Sequence, residues 1–140
     1  MILPLWAVVW FPGWWWLLLI PANYLLDSLV LGLCLRKKIS DYKSFVLKNS
    51  WLTCVYGFTS DFAGAAFILG AFLILQIDGI AAHYIITAIG VVISAFFIWL
   101  FNAKASSLPQ KIGKENANKV GIWLAVFTAP YLFLLPIYFS

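Results

Sequence analysis

Charge is what this sequence has least of. Only 10% of its 140 residues are charged, and the first 35 contain no Lys or Arg. A soluble domain carries about 25% charged residues, so a water-soluble globule is excluded as the bulk of the chain. A secretory signal peptide opens on a basic segment. Without one, the first apolar run is expected to stay in the protein as a helix. Histidine is nearly absent too: His83 stands alone, which restricts general-base chemistry and offers a metal ion no second imidazole. There is no His-Glu-x-x-His, no Cys-x-x-Cys, no Gly-x-Ser-x-Gly and no Gly-rich phosphate loop with its Lys. The chain therefore reads as non-enzymatic and free of cofactors. The two cysteines, Cys34 and Cys54, are expected to be reduced helix-packing residues.

What is present is apolar. Such residues make up 64% of the chain, against about 45–50% in soluble domains, and lipid is the solvent that accepts the excess. The run from Ile2 to Leu35 is too long for one crossing. At about 1.5 Å per residue it reaches about 50 Å, whereas the hydrocarbon core is about 30 Å thick. Pro12-Gly13 divides it, because proline removes a donor and glycine loosens the backbone. This predicts a short interfacial segment over Leu5–Phe11 and a first span over Trp14–Leu35, kinked at Pro21. Trp10, Trp14, Trp15 and Trp16 fit an aromatic belt at headgroup level. Further spans are expected near 51–75, 84–101 and 120–139, the last bent or ended by Pro130 and Pro136. The polar stretch 102–118, with Pro109 and Gly113, reads as a flexible loop. The expected fold is an all-α membrane protein: a single-domain four-transmembrane-helix bundle with a short interfacial N-terminal segment.

All nine cations fall in two windows. Arg36, Lys37, Lys38, Lys43 and Lys48 form the first; Lys104, Lys111, Lys114 and Lys119 form the second. With four spans, the two windows occupy loops on one side, and the intervening loop holds Asp78 and His83 but no cation. The positive-inside rule then puts both basic loops (36–50 and 102–119) in the cytoplasm and both termini outside. The same cations attract anionic lipid headgroups. A nucleic-acid binder would spread its basic residues over a soluble face, so nucleic acid is not an expected partner. Small size and simple topology fit a bacterial cytoplasmic membrane.

Two carboxylates fall deep inside spans, Asp27 and Asp61. A central Asp costs about 2.5–3.5 kcal/mol on insertion scales and turns inward far more often than toward lipid. Asp27 precedes Arg36 by nine residues and Asp61 follows Trp51 by ten, so antiparallel packing of the first two spans should bring both acids to one depth. That alignment also pairs Cys34 with Cys54 and predicts a ready disulfide. Two such acids resist ionising together in low dielectric, and no cation lies within a span to neutralise them. Three roles follow: hydrogen-bonded glue that includes Asn23 and Ser60, a proton or cation site in a transport path, or a dock for a partner's Lys or Arg. Gly57, Gly64 and Gly70 on the second span, and Gly90 and Ser94 on the third, form small-residue surfaces that admit another backbone. The leading expectation is a small non-enzymatic subunit that associates with itself or a larger membrane complex. The alternative is a proton- or cation-coupled transporter or channel component using Asp27 and Asp61.

Overall fold

Long apolar runs with few breakers favour continuous helices, and helices dominate the structure. The computed structural model describes residues 2–4, 10, 13–76, 79–134 and 136–138. Among the described residues, three helices are long and apolar enough to cross a membrane: α1 (Trp16–Leu35), α2 (Tyr42–Leu75) and α3 (Ile80–Leu100), the last prolonged by a π-helical turn over Phe101–Ala105. Two shorter helices follow, α4 (Leu108–Ile112) and α5 (Lys114–Thr128), then a 3-10 turn over Tyr131–Leu134. Two three-residue strands, β1 (Ile2–Pro4) and β2 (Pro136–Tyr138), pair antiparallel, with Leu3 opposite Ile137. The expected interfacial segment Leu5–Phe11 lies outside the described residues except for Trp10, and so does Asp78. Trp10 stands edge-on to Phe62, with ring centroids 5.8 Å apart.

Helix α1 packs on α2 and α5, and α3 packs on the same two helices. Close approach between α2 and α3 depends on glycine. A Cβ on Gly64 would stand 2.6 Å from the Gly90 carbonyl oxygen, and one on Gly90 would overlap the Ile68 side chain. Between α1 and α2, Trp16 stacks on both Phe58 and Phe62, at 5.6 and 5.7 Å. Trp14 and Trp15, by contrast, lie exposed and stacked on each other.

Large apolar side chains cover the outside of the helices as well as the core, and several polar ones are buried. Leu17, Leu25, Leu29, Leu33, Ile74 and Val92 are exposed, whereas Asp27, Ser50, Thr53, Ser60, Thr87 and Asn102 are buried. Water would penalise that outer surface. The helices satisfy many of the inner polar groups locally. Ser60 donates to the Tyr56 carbonyl (2.7 Å), Thr53 to Ser50 (2.8 Å) and Asn102 to Ile98 (2.9 Å).

Element boundaries differ from the sequence expectation in three places. Helix α2 starts at Tyr42 rather than 51, so much of the expected loop 36–50 is helical. At about 1.5 Å per residue its 34 residues reach about 51 Å, and the turns that carry Lys43 and Lys48 extend its polar end. The stretch 102–118 is not a flexible loop. Its polar residues bond back to the chain, as Ser106 does to the Asn102 carbonyl (2.7 Å). Leu108 and Ile112 meanwhile anchor α4 in an apolar cluster with Leu31, Leu35, Ile98 and Ala117. Finally, the helix expected over 120–139 begins at Lys114 and ends at Thr128. Pro130 has no N–H to continue the ladder and disfavours helical geometry at Ala129, whose ψ is 146°.

The two basic windows meet at one end of the helices. Lys38 donates to the Asn116 side-chain oxygen (2.8 Å), and Lys111 donates to that of buried Asn49 (2.6 Å).

Candidate functional site

A carboxylate on an apolar helix must find partners or remain costly, so the surroundings of each acid define the site. Asp27 is 1% exposed, on the face of α1 that meets α2 and α5. Its Oδ2 has no hydrogen-bond partner among the described residues. Gly57 of α2 leaves it room: a Cβ there would lie 3.6 Å from Asp27 Oδ2 and 3.3 Å from Asn23 Nδ2. The Asn23 amide turns toward Cys54 Sγ at 4.0 Å. From α5, the Thr128 hydroxyl stands beside the same carboxyl and gives its own proton to the Leu124 carbonyl (2.7 Å). One oxygen of a buried acid is thus left open, within a pocket of amide, thiol and hydroxyl groups.

Asp61 is held differently. Its Oδ1 accepts a hydrogen bond from Ser94 of α3 at 2.7 Å. Among the described residues no hydrogen bond joins the two acids. They do not share one level either. Gly32 meets Val46, Asn23 meets Cys54 and Trp16 meets Phe58 and Phe62, so Asp61 lies toward the Trp16 end of α1, beyond the level of Asp27. The expected alignment is therefore shifted by more than one turn. Cys54 sits beside Asn23 rather than Cys34, which packs near Val46 and Leu35 in the apolar cluster at the basic end. The shift has a steric cause: Trp16 stacked on Phe58 and Phe62, and Gly32 against Val46, set the α1–α2 register.

The structure thus brings Asn23, Asp27 and Gly57 together, and joins Asp61 to Ser94. Ser60 is buried nearby but spends its proton on its own helix. Gly64 and Gly90 face each other across α2 and α3, whereas a Cβ on Gly70 would meet nothing within 4 Å. Arg36, Lys37, Lys38, Lys43 and Lys48 are exposed at the basic end. Sequence reasoning missed Thr128; its signal was a lone hydroxyl eight residues, roughly two turns, into the apolar run that starts at Val120. Ser94 was legible as a small packing residue but not as a donor to Asp61.

Among the described residues no group of three or more His, Cys, Asp or Glu side chains comes together as a metal cluster. His83 stacks on Phe72, with centroids 5.3 Å apart. No protein-family model, curated protein or solved structure matches this chain.

Proposed function

We propose that this protein is a multi-pass membrane protein that moves protons, or small cations, through a polar centre built on Asp27 and Asp61. In this reading the chain crosses the bilayer four times, with α5 and the turn that follows it as the last crossing. The basic windows face the cytoplasm and both termini face outward. The protein is not an enzyme: its acids work by binding and release.

The observation that carries the proposal is the open oxygen of Asp27. An acid serving as glue should have its acceptors filled, since a buried polar group without a partner costs about 1–3 kcal/mol. An acid serving as a dock for a partner's Lys should face lipid, and Asp27 faces its own helices. A group that must bind and release a proton needs an unoccupied acceptor in a sealed polar pocket. Asp61, steadied by Ser94, is a second station. Protons fit better than hard metal cations, which take six or more oxygen ligands. The pocket of Asp27 supplies an amide, a thiol and one hydroxyl.

Association with a larger membrane complex is the second reading. The small-residue faces that motivate it are mostly filled within the chain, because Gly57, Gly64 and Gly90 each meet a neighbouring helix. Gly70 keeps an open face, and that observation favours the second reading.

Reconstituted liposomes with an internal pH dye separate the two. Wild-type protein is expected to carry protons down a gradient, Asp27→Asn to abolish the flux, and Asp61→Asn to reduce it. Silent wild-type liposomes, or flux untouched by Asp27→Asn, would overturn the transport reading. A partner that co-purifies in mild detergent, alongside silent liposomes, would support the association reading.

A further inference from the structure

Two helices that face lipid with matched apolar spacing leave a furrow between them. On α1, Leu26, Leu29 and Leu33 recur at i, i+3 and i+7. On α5, Val120, Trp123 and Phe127 recur at the same interval. These side chains line one lateral groove of about 570 Å³. The helices run antiparallel, and each triplet spans seven residue steps, so the apolar trough is about 10 Å long at helical rise. Trp123 and Phe127 stack nearly parallel, 5.4 Å apart at 11°, and make one wall of it rigid and flat.

The ends of the trough are unlike. Lys38 and Lys119 also line the groove, beyond Leu33 and beside Val120, at the end where the basic windows meet. Their existing partners leave capacity. Lys38 is exposed and donates to a neutral amide, Asn116 (2.8 Å). Lys119 pairs with Glu115 at 2.9 Å, and both side chains are largely exposed. Such a pair is worth little in water. Glu115 is the acid at this mouth, and its carboxylate is shared with Lys119. Two ammonium groups against one carboxylate leave the mouth positive, with donors free on both lysines.

We infer that this groove is a binding site for an anionic phospholipid, with one acyl chain in the Leu26–Phe127 trough and the phosphate between Lys38 and Lys119. The inference rests on the membrane reading above. Charge complementarity selects the occupant: the trough is apolar enough for a hydrocarbon chain, and its positive mouth lies where a headgroup would sit. A zwitterionic lipid would fill the trough equally well but gain less from the two lysines. Inorganic phosphate would meet the lysines but leave the trough empty, so it should compete poorly. The site is separate from the acid centre, because these apolar side chains lie on the outer face of α1 and Asp27 lies on the inner one.

The test is native mass spectrometry of the detergent-purified full chain, titrated with phosphatidylglycerol or with phosphatidylcholine of the same acyl composition. At about 1 kcal/mol per surface cation, two lysines predict a preference for phosphatidylglycerol of about tenfold or more. Lys38→Gln with Lys119→Gln should remove that preference. Lys104→Gln with Lys114→Gln, the same charge change away from the groove, should retain it. Leu29→Trp, which fills the trough without altering charge, should lower retention of both lipids. Millimolar inorganic phosphate should not displace the lipid. Equal loss in the two lysine double variants, retention unaffected by Leu29→Trp, or displacement by phosphate would each overturn the site. Carbonate extraction of the expressing cells tests the membrane reading separately. Protein that stays in the membrane pellet but lacks lipid preference sinks the groove alone; protein released to the supernatant sinks both.

Discussion

At the scale of single residues, the molecule turns on where a side chain is missing. Gly64 and Gly90 let α2 and α3 touch backbone to backbone, and a Cβ on Gly64 would meet the Gly90 carbonyl oxygen, which cannot rotate away. Gly64→Ala is therefore expected to destabilise by about 1–3 kcal/mol, the usual cost of overpacking. That outweighs the roughly 1 kcal/mol that Ala gains over Gly in a helix. Gly70→Ala meets nothing within 4 Å, so it keeps the helix gain and should leave the protein equally or more stable. Thermal unfolding of both variants in one detergent checks the contrast; equal losses would show that α2 and α3 touch less closely than these distances require. The same scale explains why Asp27 and Asp61 differ although both were legible as buried acids. The partner of Asp61 arrives on α3 and the Thr128 neighbour of Asp27 on α5, and no spacing within α1 or α2 encodes either.

At the scale of elements, register is the quantity that apolar composition leaves open. Leucine-rich faces slide past each other at little cost, so two apolar helices can be drawn with any pair of residues level. Bulky and small side chains break that degeneracy here. The stacking of Trp16 on Phe58 and Phe62, and the approach of Gly32 to Val46, select one offset. Cys54 then lies near Asn23, eleven residues from Cys34, about 16 Å along α1. A disulfide needs Cα atoms within about 7 Å. Mild oxidation in membranes should accordingly leave Cys34 and Cys54 unlinked. In a background with Cys34→Ser and Cys54→Ser, the pair Gly32→Cys and Val46→Cys should bridge. A fast Cys34–Cys54 bridge, seen as a mobility shift on a non-reducing gel, would restore the level alignment of the two acids. The 102–118 stretch carries a related lesson. Its composition is that of a loop, yet Leu108 and Ile112, one helical turn apart, hold it against Leu31 and Leu35. With Ala117, that makes three apolar anchors among seventeen residues, too few to stand out in a polar background.

At the scale of the whole molecule, apolar residues fill the core and also cover much of the outside, and the charged ones among the described residues gather at one end apart from Asp27 and Asp61. Lys38 reaches Asn116 and Lys111 reaches Asn49, so the two basic windows form a single patch. In the topology proposed above, that patch would face the cytoplasm. A cysteine at exposed Gln110, in a chain without Cys34 and Cys54, should react with an impermeant maleimide only after the membrane is opened from the cytoplasmic side. Labelling from outside in intact cells would invert the topology, and with it the direction from which Asp27 is reached.

Some of this protein follows from sequence alone because the governing quantities add along the chain. Hydropathy sums residue by residue, and it predicts helices long and apolar enough to cross a membrane. The segregation of nine cations into two windows is likewise a property of order, and it anticipates one basic end. The burial of Asp27 follows from the cost of a carboxylate in lipid. Only the tertiary structure decided which atoms meet that carboxylate, that Ser94 rather than Asp27 partners Asp61, and that α1 and α5 enclose a groove with two lysines at its mouth. Those outcomes depend on the interlocking of particular shapes between helices distant in sequence, which no sum along the chain contains.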